Sequence, residues 1–198
     1  MEREKRRRFI LEKAMEVIGK RGLRRTKMEH IAEACGIGKS TLYEYFSSKK
    51  ALVEEIMNFY YNEYLSSISE SLSSIDNPEK WLEKFIELNF MFIWAQSIEL
   101  KVVFDIWAEL ARDEQGIEWL KEVYSSWRKK IEDAIKEGQK RGLFSPYILP
   151  FSIATFMIAT MDCLFLQRCV GLLDGHEKEI ESDYKKVFLN ILRLRGAK

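Results

Sequence analysis

The sequence predicts an all-α protein, and three observations carry that prediction. Of 198 residues only 3 are Pro and 10 are Gly, too few punctuating residues for a turn-rich β fold. Apolar residues recur at helical spacing in nearly every segment, and no run shows the period of two that a half-buried strand requires. Apolar residues make up 46% of the chain, enough to bury a core and too many for a disordered polymer.

Each element follows from its own signals. Leu11, Ala14, Val17 and Ile18 stripe a first helix that Gly22 ends. A second opens at Thr26-Lys27-Met28-Glu29, the T-x-x-E capping box, with Met28, Ile31, Ala32 and Cys35 facing inward. After Gly36-Ile37-Gly38 a short third helix, Lys39 to Phe46, places Leu42 and Phe46 one turn apart on one face. Ser47-Ser48 can cap a long fourth helix carrying Val53, Met57, Tyr60, Tyr64 and Ile68, and Asn77-Pro78 opens a fifth through Trp81, Phe85, Leu88 and Phe92. A sixth covers about Glu99–Ala111, and Asp113–Gly116 breaks the pattern. Leu120, Tyr124, Trp127, Ile131 and Ile135 stripe the seventh up to Gly142. A nearly all-apolar eighth runs from Phe151 to about Leu172, and Ile180, Tyr184, Val187 and Ile191 stripe the last.

Composition excludes several function classes. Two His and three widely separated Cys (Cys35, Cys163, Cys169) leave no spacing for a zinc site, a disulfide framework or a His-based triad. No metal, cofactor or catalytic residue is therefore assigned. Asp105 and Glu109 share a helix face, as ordinary surface carboxylates do. The charged N-terminus has no apolar stretch of signal-peptide type behind it, so a cytoplasmic protein is expected. Tyr147–Leu166 holds one charge, Asp162, in a nearly membrane-spanning length. Pro150, Ser152, Thr155 and Thr160 interrupt it, and a core or subunit interface asks for the same composition, so no membrane partner is expected.

The net charge of +1 hides an asymmetry. Residues 1–50 hold 14 Lys/Arg against 7 acids, a net +7, while the remainder carries 18 basic and 24 acidic side chains, a net −6. A basic first quarter points to a polyanion at that end, with a solvated charged surface as the alternative. Gly38-Lys39-Ser40-Thr41 has the end of a phosphate-binding loop, but Glu33 stands where that loop needs glycine and a helix precedes it. A helix-turn-helix accounts for the same residues. Ala32 is small where two helices cross, Gly36 accepts positive φ in the turn, and Leu42 pins the second helix.

Residues 10–52 resemble the DNA-binding domain of the tetracycline-repressor (TetR) family of bacterial transcriptional regulators. The matching residues are Ile10-Leu11, Ala14, Gly22, Thr26, Ile31-Ala32, Ala34, Gly36 through Phe46, Ser48-Lys49 and Leu52. Gly38 and Ser40 depart from the family's usual Ser and Gly, and the change at Ser40 alters a surface that faces the DNA groove. Trp107-Ala108-Glu109, Tyr124-x2-Trp127 and Gly138-x3-Gly142-Leu143-Phe144 are similar to the effector domains of choline-regulator (BetI-like) members. The resemblance implies a three-helix helix-turn-helix domain over 1–47 and an effector-binding and dimerisation domain of about six helices over 48–198. It implies a regulator, expected to be a repressor, that leaves a near-palindromic double-stranded operator when a small-molecule effector binds. The homodimer is expected to form through the last two helices.

Candidate DNA-contacting residues are Thr26, Lys27, Lys39, Ser40, Thr41, Tyr43, Tyr45 and Lys49. The resemblance implies that the recognition helix lies in the major groove, with Lys39 as its only cation, and that Thr26 and Lys49 clamp phosphates beside helix N-termini. Tyr43 and Tyr45 have packing within the small core as their alternative. Arg6–Arg8 either track the backbone as an arm or start a solvated helix. All five Trp lie between residues 81 and 127, and rings so concentrated either form a core or enclose an apolar effector. Candidate lining residues are Tyr60, Tyr64, Phe85, Asn89, Phe92, Trp107, Tyr124, Trp127 and Asp162. A buried Asn89 amide needs a partner in the protein or in a ligand. A buried Asp162 either holds a hydrogen bond within the last two helices or selects a cation. Two other readings compete: a helical small-molecule-binding protein or enzyme whose basic end is incidental, and an architectural DNA-coating protein.

Overall fold

Nine helices account for the regular structure of the described residues in the computed structural model: α1 (Glu2–Arg21), α2 (Met28–Ala34), α3 (Lys39–Tyr45), α4 (Lys49–Ser73), α5 (Pro78–Trp94), α6 (Ile98–Leu110), α7 (Glu114–Lys140), α8 (Pro150–Cys169) and α9 (Glu177–Arg193). The backbone is described for residues 2–94 and 98–193, and so are their side chains except those of 60, 61, 64, 65 and 98–101. No strand occurs among the described residues. The chain forms two compact units, Met1–Ser66 with Gln96–Gly116 and Ser67–Ala95 with Ile117–Lys198. These are not the contiguous segments that a boundary at residue 47 marks off, because α6 packs on α1.

In the first unit Ile10, Ile18, Ile31, Leu42 and Phe46 are each at most 2% exposed, a burial that stabilises by roughly 1.5–3 kcal/mol per side chain. Gly36, at φ +63°, turns α2 toward α3. Its N–H donates to the Glu33 carbonyl and that of Ile37 to the Ala32 carbonyl, both at 3.0 Å, which satisfies two helix-end carbonyls. Ala32 and Leu42 are buried where the helix-turn-helix spacing requires.

The T-x-x-E capping box does not form. Lys27 is the N-cap of α2 in extended conformation, and its N–H donates to His30 Nδ1 at 3.2 Å. Thr26 donates its hydroxyl to the Gly22 carbonyl at 2.9 Å. That carbonyl lies just past the end of α1 and also accepts the Thr26 N–H at 3.2 Å, so the hydroxyl and amide of one residue close the turn together. Of the two acids on this face of α6, Glu109 is exposed and pairs with Arg112 as surface carboxylates do, but Asp105 Oδ2 accepts the Leu23 N–H at 2.9 Å. Asp113, just beyond the helix, lies 3.4 Å from Lys50.

In the second unit Asn77 caps α5, its Oδ1 accepting the N–H groups of Glu79 and Lys80 at 3.0 and 3.1 Å. The buried face of α5 is Leu82, Phe85, Ile86, Phe90 and Ile93, with Trp81, Leu88 and Phe92 at its margins. Two helices, α8 and α9, pack on α5, and they widen and rotate the buried arc away from the simple stripe. The break expected at Asp113–Gly116 falls slightly earlier, at residues 111–113 between α6 and α7, and Asp113 caps α7, its Oδ1 accepting the Gly116 N–H at 2.9 Å. At the other end of α7, Leu143 N–H donates to the Gly138 carbonyl at 2.8 Å and Gly142 N–H to that of Gln139 at 3.0 Å. This turn folds the buried Phe144 ring flat onto Gly138, leaving no room for a Cβ.

The inner face of α9 is Tyr184, Phe188, Leu189 and Leu192, while Val187 is 52% exposed. Contact with α5 selects the 184/188/192 row, and Val187 stands beside it. The eighth helix ends at Cys169, three residues before the expected Leu172, and is long and apolar enough to cross a membrane, with a mean hydropathy of 1.3. It is not sunk in its own unit, since Phe156, Leu166 and the adjoining Val170 stand 58%, 48% and 64% exposed.

Candidate functional site

The outer surface of α3 begins at Gly38, an extended N-cap without a side-chain cap. Lys39, Ser40 and Tyr43 are exposed, and Thr41 and Tyr45 are half-buried. Lys39 Nζ lies 2.5 Å from Glu29 Oε1 and 5.9 Å from the Tyr43 ring centroid. The hydrogen bond between them raises the Lys39 pKa and lowers that of Glu29, so each holds the other charged. Lys27 is exposed at the start of α2. Tyr45 both packs and faces outward, with its ring 6.5 Å from that of Phe46 and the Arg3 guanidinium 5.8 Å away.

Two expected phosphate clamps point inward instead. Thr26 is 1% exposed with its hydroxyl spent on Gly22. Lys49 donates to the Leu23 carbonyl, and burial pushes its ammonium below the usual lysine range. Both side chains tie the α1–α2 loop to its surroundings, a local demand that outweighs exposure to a ligand yet to arrive.

The basic run at the start of α1 divides. Arg7 pairs with Glu55 and lies over Phe46, and Arg8 reaches Glu12 and Glu63. Arg3, Lys5 and Arg6 stay exposed along an open cleft completed by Phe9, Glu44 and Tyr45. The sequence could have separated them: burial of Ile10, Leu11 and Ala14 fixes the phase of α1 and turns Arg7 toward the core.

The effector candidates of the second unit pack against one another and against neighbouring rings. Trp81 stacks on Phe85 at 5.6 Å and Phe85 meets Trp127 at 5.4 Å, with Lys130 Nζ 4.7 Å from the Trp127 ring. Phe92 stacks on Phe165 at 5.8 Å. Tyr124 donates its hydroxyl to Asp162 Oδ2 at 2.9 Å, so the hydrogen bond of Asp162 goes to α7 and not between the last two helices. Asn89 donates its amide to the Phe85 carbonyl one turn back, at 2.7 Å. Trp107 belongs to the first unit, where it meets Phe104 edge-on at 5.9 Å. The side chains of Tyr60 and Tyr64 lie outside the described residues.

Burial pushes the Asp162 carboxyl up to about 6, against the opposing pull of the Tyr124 hydroxyl. An acid whose pKa is raised by folding contributes its stability in full below its unfolded pKa, where both states are protonated, and loses it as pH rises through its folded pKa. Asp162 therefore makes stability fall as pH rises from about 4 to about 6. Asp162→Asn is expected to flatten that slope and to raise stability above pH 6 by on the order of 1–2 kcal/mol. Urea titrations at pH 4.5 and 7.5 measure it, and an unchanged difference between the two pH values rejects it.

Among the described residues no group of three or more His, Cys, Asp and Glu is placed to hold a metal. Residues 10–56 match the family model described as bacterial regulatory proteins, tetR family, and residues 78–179 match that of the BetI-type transcriptional repressor, C-terminal. The HTH-type transcriptional repressor KstR2 of Mycobacterium tuberculosis (strain ATCC 25618 / H37Rv) is 26% identical over 137 residues, which are 69% of this chain and 68% of that one. A regulator from Saccharomonospora viridis solved with choline superposes with a TM-score of 0.82 at 23% identity, covering 92% of this chain and 95% of that one. AibR, solved with isovaleryl coenzyme A and operator DNA, gives 0.74 at 23% identity over 92% and 97%. These two solved structures share the fold.

Proposed function

The chain belongs to the TetR family of bacterial regulatory proteins, with a BetI-type C-terminal region, and from that premise we propose how it binds its operator and is released. As a member it is a DNA-binding transcriptional regulator under ligand control, and regulators of this family act as dimers. In our reading α3 enters the major groove, where Lys39, Ser40 and Tyr43 reach base edges or phosphates and Thr41 and Tyr45 support them. Lys27, Arg3, Lys5 and Arg6 extend the contact to phosphates on either side. The observation that carries this reading is the row Lys39, Ser40, Tyr43, exposed on a helix whose opposite face is pinned by the buried Leu42 and Phe46.

Two copies, paired through α8 and α9, present two such helices to a near-palindromic operator. That geometry accounts for an eighth helix of spanning length whose apolar side chains stay exposed in one copy, with no membrane needed to cover them. The protein then acts in the cytoplasm, as a repressor. Its effector is a small molecule with an apolar or aromatic-binding body, received by residues drawn from Phe85, Phe92, Tyr124, Trp127 and Asp162. Choline and an acyl coenzyme A, the ligands of two neighbours, are the first to try. The effector releases DNA by binding the off state better, by roughly 1–3 kcal/mol.

Selection of genomic fragments by the purified protein, with competition at about 50 and 200 mM salt, tests the reading. One short inverted-repeat site is expected to survive at the higher salt, while bulk DNA loses affinity steeply. Retention of all fragments alike, or of none, overturns it.

A further inference from the structure

We infer that the two copies of the dimer cross at Cys163, with α8 antiparallel to its own copy and the two thiols facing each other across the twofold axis. This register rests on the reading that α8 and α9 form the subunit interface and adds which residues meet there. The exposed arc of α8 is uncharged throughout: Phe156, Ala159, Thr160, Cys163 and Leu166 are exposed along it, with Gln167 half-buried, and it continues into exposed Val170. Asp162, the one acid of this helix, is turned away toward Tyr124. On α9 the corresponding exposed side mixes Glu179, Asp183 and Lys186 with a single large apolar residue, Val187. The point on the axis is the most thoroughly dehydrated in an isologous interface, so the axis falls on the uncharged helix.

The position along α8 follows from spacing and size. Phe156, Cys163 and Val170 recur every seven residues, so they form one line along the outer face. Cys163 is at its midpoint, with the larger exposed Phe156 and Val170 two turns away on either side. An antiparallel pair related by a twofold axis brings the midpoint onto itself and each end onto the other. Phe156 of one copy then fills the space beside Val170 of the second, and the small Cys163 lets the two backbones approach between them. A pairing centred one turn away sets Cys163 against Phe156 or Val170 of the second copy and leaves the other large side chain uncovered, and one centred two turns away puts a large side chain against its own copy. Cys163 is the exposed cysteine, whereas Cys35 is buried and Cys169 is half-buried at the end of the helix.

Cross-linking the whole protein tests the register. Diamide joins two facing thiols as a disulfide, its N=N bond taking up their two hydrogens. A covalent dimer is expected on non-reducing gels for the unaltered chain and for Cys169→Ser, with complete loss in Cys163→Ser. In the Cys163→Ser background, Phe156→Cys with Val170→Cys is expected to restore the cross-link, and neither substitution alone does so. Sedimentation of each variant reports the dimer independently. A sedimenting dimer that cross-links through Cys169, or not at all, overturns the register and leaves the α8–α9 interface standing. A folded monomer overturns both.

Discussion

Gly138→Ala is expected to destabilise the protein by about 2–3 kcal/mol, the cost of forcing a methyl group into a packed interior. The added Cβ would overlap the ring of Phe144, which is 3% exposed and held in place by the turn that ends α7. The ring cannot simply move aside. Its neighbour Ser145 donates its N–H to the Leu192 carbonyl at 2.8 Å, and Gln139 donates its side-chain amide to the carbonyls of Ser145 and Ile148 at 2.8 and 3.0 Å. Alanine elsewhere in a helix interior is usually more stable than glycine, so the sign of the change separates this close approach from ordinary helix propensity. Urea midpoints at fixed protein concentration give the answer, since dimerisation makes stability depend on concentration. Phe144→Leu in the Gly138→Ala background is expected to recover part of the loss, because the two positions touch. A neutral or stabilising Gly138→Ala removes the argument.

Lys39→Ala and Tyr43→Ala are each expected to weaken operator binding by about 1–3 kcal/mol, roughly five-fold to 150-fold, without lowering the melting temperature. Both side chains are exposed, so their loss leaves no cavity. Lys39 carries a further signature because its ammonium is paired with Glu29. Removing the lysine leaves an unneutralised carboxylate beside the DNA, and Glu29→Gln in the Lys39→Ala background is expected to regain part of the affinity. Glu29→Gln alone is expected to tighten binding at low salt, since it frees the cation. If Lys39 meets a phosphate, its loss also lowers the salt dependence by about one counterion, and if it meets a base edge it relaxes preference at one position instead. Equilibrium binding to the selected operator between about 50 and 200 mM salt measures both. Unaltered affinity in the two alanine variants rules out α3 as the reading helix.

Part of this site was legible in the chain as written. Ala32, Gly36 and Leu42 announced the helix-turn-helix because steric demands at a helix crossing and a tight turn admit few residue types. The buried partners of Thr26 and Lys49 were not legible. Each is set by a carbonyl of the α1–α2 loop that becomes available only when α1 ends where it does. Asp105 is the sharper case: by spacing it is one of many surface carboxylates, and only the packing of α6 on α1 aims it at the Leu23 amide. The stripes of α5 and α9 were displaced for a related reason. Periodicity finds an apolar side, but the neighbours of a helix choose which residues on that side go in.

Sequence alone determined what is governed by short-range chemistry. The helical period, the glycine that closes α2, the Asn77 cap and the basic first quarter all depend on residues within a turn or two of one another, or on simple charge. Tertiary structure decided the rest. It placed α6 beside the DNA-binding helices, committed Arg7 and Lys49 to internal partners while leaving Arg3 and Lys39 on the surface, joined Tyr124 to Asp162, and left one face of α8 uncovered. These outcomes depend on which distant groups arrive at a given side chain once the core is packed. Contacts between residues tens of positions apart leave no period and no cap in a single sequence, because burial and hydrogen bonding are satisfied in space and not along the chain.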